Sequence, residues 1–439
     1  MIYLILEVIT IFLYMINGYL GFFSASVLFI YIWKYSKYTI ENKVIISMIL
    51  SIPFYNIGIL GMDMHHIFSW FIISLIIYTI MLLVKLYRKE YILSKKCICL
   101  GISLIFLLIV NIVLKQDISS SFTDLLQILT MIVVILLTYC ARNTFSKKIR
   151  KEDIYIWINK ISITIIAIAI CTILQCIVYE ITQIKIGFIT LFPQRTVYDL
   201  LFKGYSVLSI ILGIGIIINI TNIIQKREKI GVNIIGLTLC IIAVIINSSR
   251  TGLFSALLIS ICIIISNFIK KNKILRANRK QLWKCFAFFI LIIFCAIIIF
   301  LLIQLSRENE NIFSDNGRII TYENAIKTIF ENPNNFFIGY GLSLINYNHI
   351  IPHNAILELI LRLGVIFTVE VIGLFIYLLK YINNNTYTKY IVWHIIISSM
   401  FVAGFYEMTF MILYIAIAII DTKISADKEL NGKREIENE

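Results

Sequence analysis

Apolar runs of about eighteen residues or more, the length of a membrane-crossing helix, recur along this whole chain, as at Phe286–Gln304 and Ile391–Ile420. Of its 439 residues, 60% are hydrophobic and only 15% are charged. A soluble domain carries about a quarter charged residues. The length therefore supplies many spans rather than several soluble domains. Met1–Thr10 has no basic stretch and no small-residue cleavage site after it, so it reads as a retained first helix, not a removed signal.

A net charge of +14 would suggest nucleic acid in a soluble protein. Here its placement matters more. Basic clusters fall in short polar gaps at Lys34–Lys43, Lys85–Lys96, Arg142–Lys151, Lys226–Lys229, Lys270–Lys284 and Lys380–Lys389. They alternate with basic-poor gaps at Gly61–His66, Gln116–Asp124, Asn247–Thr251 and Tyr406–Thr409. Lys/Arg-rich loops face the cytoplasm, so the basic gaps are assigned inside and the others outside. No nucleic-acid partner is expected.

The pattern predicts an all-α, polytopic transmembrane bundle of about 12–14 spans. Helices are expected near 8–33, 43–60, 67–87, 97–114, 124–141, 153–180, 205–224, 230–248, 252–269, 285–304, 355–379, 390–405 and 408–421. Ten spans then fill 1–304, an extracytoplasmic loop fills 305–354, three spans fill 355–421, and 422–439 is a cytoplasmic tail. The first run, Ile2–Trp33, is long for one span; a hairpin broken at Asn17-Gly18 is the alternative and puts the first residue inside. The halves show no repeat of the kind that marks many transporters. The nine cysteines lie in or beside apolar runs without paired metal spacing, so they read as small buried hydrophobes.

Two outer loops are longer than the rest: Ile181–Gly204, with Pro193-Gln194-Arg195, and Leu305–Asn354. Long loops are commonly functional. The second holds helical spacing over Arg318–Glu331, opened by Asn316-Gly317 and closed by Asn332-Pro333. It reads as an amphipathic helix on the outer membrane surface.

His353 follows Pro352 at the outer mouth of the next helix and is a candidate general base, because neutral imidazole titrates near physiological pH. His349 is a weaker candidate, His394 lies within a span, and Asp63-Met64-His65-His66 lacks a metal-ligand spacing. Arg195, Arg250 and Arg318 all fall on the outer side. Arg250 occupies a tight tip, Ser248-Ser249-Arg250-Thr251-Gly252. An arginine at the bilayer edge snorkels, pairs or faces water, and its planar fork suits diphosphate oxygens. Glu358 and Arg362 are one helical turn apart and can pair. Glu7, Glu370 and Glu407 also lie at membrane depth or its edge. The outer side carries no Asp-x-Asp, and no P-loop sequence occurs, so an activated substrate there must bring its own leaving group.

The ordered string Gly317-Arg318, Asn324-Ala325-Ile326, Glu331-Asn332-Pro333, Gly339-Tyr340-Gly341, His353-Asn354-Ala355-Ile356-Leu357-Glu358 and Gly364, with the Ser249-Arg250-Thr251-Gly252 tip upstream, resembles the O-antigen ligase and O-antigen/capsular polysaccharide polymerase superfamily. The resemblance spans Ser248 to Gly364. It implies a type C glycosyltransferase-like fold in a bacterial plasma membrane, with the active site outside. The implied activity joins undecaprenyl-diphosphate-linked oligosaccharide repeats into capsular or O-antigen polysaccharide, without metal or cofactor. The implied partners are the lipid-linked glycan donor and acceptor, membrane lipids, a flippase and a chain-length regulator. The family's histidine maps onto His353 and its diphosphate-binding arginines onto Arg250 and Arg318, with Arg195 matched by location. Asn354, Glu358, Arg362, Gly339 and Gly341 would support them. A ligase of the same family, or a lipid-linked oligosaccharide flippase, is the competing expectation.

Overall fold

The structure is a computed structural model and describes residues 2–55, 57–58, 69–89, 95–115, 128–129, 132, 151–192, 195–202, 204–225, 230–272, 318–342, 350–380 and 386–402. Expectations for the spans at 124–141, 285–304 and 408–421, for the tail, and for Asp63, His65, His66, Pro193, Gln194, Asn316, Gly317, His349 and Glu407 lie outside these residues.

The described residues are mostly helical: α1 (Ile2–Ile16), α2 (Gly18–Ile30), α3 (Ile40–Leu50), α4 (Trp70–Tyr87), α5 (Lys95–Lys115), α6 (Lys151–Thr182), α7 (Tyr205–Gln225), α8 (Ile230–Asn247), α9 (Arg250–Asn272), α10 (Arg318–Glu331), α11 (Pro333–Ile338), α12 (Ala355–Lys380) and α13 (Thr386–Ser399). Six of these, α4 to α9, are long and apolar enough to cross a membrane. The chain divides into two compact units, one of Met1–Ser74, Ile156–Ile312 and Tyr390–Ser398, the other of Leu75–Tyr155, Phe313–Lys389 and Ser399–Glu439.

In the first unit, the long opening run is a helical hairpin rather than one span. Asn17 leaves the helix with extended backbone and its side-chain oxygen accepts from the amides of Tyr19 and Leu20, capping α2. The arms pair symmetrically about it: Tyr3 meets Tyr31 edge to face, and Thr10 bonds Ser24 at 2.8 Å. α3 stops at Leu50, short of the expected 60, because Pro53 cannot donate back to the preceding turn; a 3-10 turn over Ile52–Phe54 follows. α7 is buried on nearly every side and packs on α8 and α9. Asn222 on α7 donates to Asn233 on α8 at 3.0 Å, giving two buried amides a partner in an apolar interior.

The segment between α6 and α7 departs from the all-α expectation. Phe188–Phe192 (β1) and Arg195–Leu200 (β2) pair as an antiparallel hairpin. Gln175 of α6 fixes its base, donating to the Ile186 and Phe188 carbonyls and accepting from the Leu200 amide. Asn247 at the end of α8 donates to the Tyr198 carbonyl. Of the cysteines described, Cys171 and Cys240 are buried as expected, but Cys99 and Cys262 are exposed on helix faces that suit lipid.

In the second unit, α10 runs over the residues its periodicity predicts, and Asn332 then caps α11 through the amide of Asn334. α12 is not the continuous helix expected over 355–379. It is broken at Gly364, whose φ of 82° and ψ of 170° are not helical. That region of backbone space is open essentially to glycine alone.

Candidate active site

The break in α12 docks the segment that follows α11. Leu361 and Arg362 lie in the last turn before the break, where carbonyls have no helical partner ahead of them. The Tyr340 amide donates to the Leu361 carbonyl at 2.8 Å, and the Gly341 amide to that of Arg362 at 3.0 Å. Asn111 of α5 donates to the carbonyls of Ile338 and Arg362, and Lys115 reaches Asn335 at 2.6 Å.

The approach is close enough to require glycine on both sides. A Cβ at Gly339 would lie 2.3 Å from the Arg362 carbonyl oxygen, and one at Gly364 would lie 2.1 Å from that of Phe337. Gly339 and Gly341 also have φ of 88° and 101°. The Tyr340 hydroxyl donates to the Thr328 carbonyl of α10. Ile329 and Leu361 form a small core under Phe336, Tyr340, Ile350, Leu357 and Ile360. Three glycines scattered over twenty-six positions thus belong to one joint.

That joint carries His353. Asn354 caps α12: its side-chain oxygen accepts from the Ile356 and Leu357 amides, and its side-chain nitrogen donates to the Met400 carbonyl. Tyr322 of α10 also reaches the Met400 carbonyl, at 3.4 Å. His353, between Pro352 and this cap, has a φ of 46°, a left-handed conformation uncommon for any residue but glycine. Its side chain is exposed, yet enough protein surrounds the ring to weaken its solvation. This partial burial lowers its pKa, the Arg318 charge lowers it further, and Glu358 opposes them. Arg318, the first residue of α10, acts on Tyr322 as well, so it lies close to both. Glu358 and Arg362 form the expected pair at 2.8 Å, on the short helical segment before the break.

In the first unit, Arg195 and Arg250 come to one place. Arg195 begins β2 and stands against the rings of Phe192 and Tyr205, 5.1 and 5.3 Å from their centroids. It donates to the Ser248 carbonyl at 3.2 Å. Ser248 turns the chain from α8 to α9 with a φ of 54°, and Arg250 opens α9 two residues later. The β-hairpin therefore delivers one guanidinium to the helix junction that carries the other.

Sequence reasoning missed three residues here. Asp199 on β2 is buried, and burial pushes its carboxyl up to about 7 against the opposing effects of a Thr190 hydrogen bond and the Arg195 charge. Asn111, a polar residue inside an apolar run, serves the joint in the second unit. His394, set aside as a residue within a span, is fully buried and bonded on both ring nitrogens. A lone amide or imidazole inside a span was the available signal in the last two cases. Comparison with protein-family models, with curated proteins and with solved structures returns no match.

Proposed function

We propose that this chain is a polysaccharide polymerase of the outer face of a bacterial plasma membrane, acting on lipid-diphosphate-linked oligosaccharide repeats. The observation that carries the reading is His353. It is an exposed imidazole in a left-handed turn, fixed by the Asn354 cap and kept neutral beside Arg318. Such strain at a non-glycine residue gathers at functional sites, and a neutral imidazole is competent to accept a proton.

In this reading a hydroxyl of one lipid-linked repeat attacks the anomeric carbon of a second glycan. The new glycosidic C–O bond forms as the bond to the diphosphate oxygen breaks. His353 takes the hydroxyl proton, and the lipid diphosphate leaves with the electron pair. Arg318, close to His353, supplies positive charge against the negative charge that develops on the leaving oxygen, the largest contribution in many transfer reactions, and the role proposed for Arg250 and Arg195 is to bind lipid diphosphate. Glu358 and Arg362 hold the short segment of α12 that carries the histidine.

The test is direct. Purified protein is given a defined undecaprenyl-diphosphate-linked repeat unit and the products are sized on a gel. A ladder of regular steps supports the polymerase. Transfer of a single glycan to another acceptor makes the protein a ligase, and recovery of unchanged repeat removes the transferase reading.

A further inference from the structure

His394 sits where α7, α9 and α13 meet, with none of its surface exposed. Its Nε2 lies 2.9 Å from the Ile210 carbonyl oxygen of α7, and a carbonyl can only accept. Nε2 therefore carries the proton. Nδ1, 2.9 Å from the Ser255 hydroxyl of α9, then accepts from Ser255 in preference to the Thr251 and Gly252 carbonyls, each 3.1 Å from that hydroxyl, since a second ring proton would bury a charge beside neutral partners. The Ser398 hydroxyl, 2.6 Å from that of Ser255, completes the chain of donors.

The knot grips the first turns of α9. The Gly252 amide donates to the Ser209 hydroxyl of α7 at 3.2 Å, and a Cβ at Gly252 would lie 2.2 Å from the Ser209 backbone. A Cβ at Gly213 would lie 2.6 Å from the His394 ring. Glycine at both positions lets α7 meet α9 and the imidazole this closely. Arg250 opens the turn so held, two residues before Gly252 and five before Ser255.

We propose that His394 is a positioning residue: through Ser255 it fixes the first turns of α9 and so aims Arg250 at the lipid diphosphate. This rests on the reading that Arg250 binds that diphosphate. His394 touches no substrate and does no proton transfer. Its two bonds make separable claims, because the Nδ1 bond holds α9 while the Nε2 bond holds α7.

Amide side chains divide these bonds. In His394→Asn the side-chain oxygen replaces Nδ1 and keeps the bond from Ser255 while losing Ile210. In His394→Gln the side-chain nitrogen replaces Nε2 and keeps Ile210 while losing Ser255. Each forfeits one buried hydrogen bond, so each lowers thermal stability to a similar extent. Binding of farnesyl diphosphate to the purified full chain in detergent then separates aim from stability.

His394→Gln and Ser255→Ala should weaken binding about tenfold, the equivalent of one net hydrogen bond, as should Arg250→Ala, while His394→Asn stays near wild type. If Asn and Gln weaken it equally, or if Gln and Ser255→Ala bind like wild type while Arg250→Ala does not, the positioning role is overturned. Binding unaffected by Arg250→Ala overturns the diphosphate assignment itself, and the positioning role with it.

Discussion

Gly364→Ala is the substitution that most severely tests the joint between the loop after α11 and α12. Alanine must either hold a φ of 82° and ψ of 170° or let the helix close. The first costs about 1–3 kcal/mol and still leaves a methyl 2.1 Å from the Phe337 carbonyl oxygen, so the loop backbone has to move away. The second straightens the helix and withdraws the Leu361 and Arg362 carbonyls from the Tyr340 and Gly341 amides. Two such bonds contribute about 1–3 kcal/mol together. The chain takes the cheaper route, so the docked loop should lose about 1–3 kcal/mol, roughly a factor of 5 to 150 in the docked fraction. Gly339→Ala acts from the other side of the same contact, so the double variant should be far less than additive. The assay is polymer length on a gel beside thiol labelling of a single cysteine placed at Phe336, which packs into the joint. Polymer should be lost and labelling should rise. Wild-type polymer with unchanged labelling in Gly364→Ala would show that the reciprocal glycine contact does not hold the loop.

Three further outcomes are expected. Because Arg318 helps lower the His353 pKa, Arg318→Gln should move the acid limb of the kcat/KM profile to higher pH, the neutral base being lost earlier on acidification; an unmoved limb separates the two residues. Asp199 has a folded pKa of about 7, above its ordinary value, so its contribution to stability is complete below the ordinary carboxyl range and gone once pH passes about 7. Asp199→Asn should therefore gain in Tm over wild type as pH rises from 5 to 8, and a constant difference would contradict the burial assigned to it. A single cysteine at the exposed Asn334 should react with an impermeant thiol reagent on intact cells; labelling only after permeabilisation would place the loop inside.

The parts of the fold that were legible are those written in a local period. The 3.6-residue recurrence of Ile319, Tyr322, Ile326 and Phe330 marks α10, and Asn332-Pro333 ends it. The break at Asn17 was legible as one of two alternatives. What stayed hidden is set by distant partners. Gly364 sits in an apolar run where a glycine is ordinarily tolerated in a helix; only the arrival of Phe337 and Tyr340 makes it a break. The β-hairpin had a signal, two β-rich runs separated by two residues, but the sequence Pro193-Gln194 is not a favoured turn pair. Residue types suggested His353 and the three arginines as candidates. Their support could not be read, because Asn111 and His394 act through carbonyls far away in the chain.

The central claim is that His353 accepts the proton from the attacking hydroxyl, and the measurement closest to it is single-variant turnover of a lipid-linked repeat unit by purified protein. General-base catalysis contributes about 10²–10⁴-fold, so His353→Ala should lose at least a hundredfold in polymer formation while still binding farnesyl diphosphate. His353→Gln should fail equally, since the amide keeps size and hydrogen bonding without basicity. Polymer formation within a few-fold of wild type in His353→Ala, at equal protein level, would contradict the account.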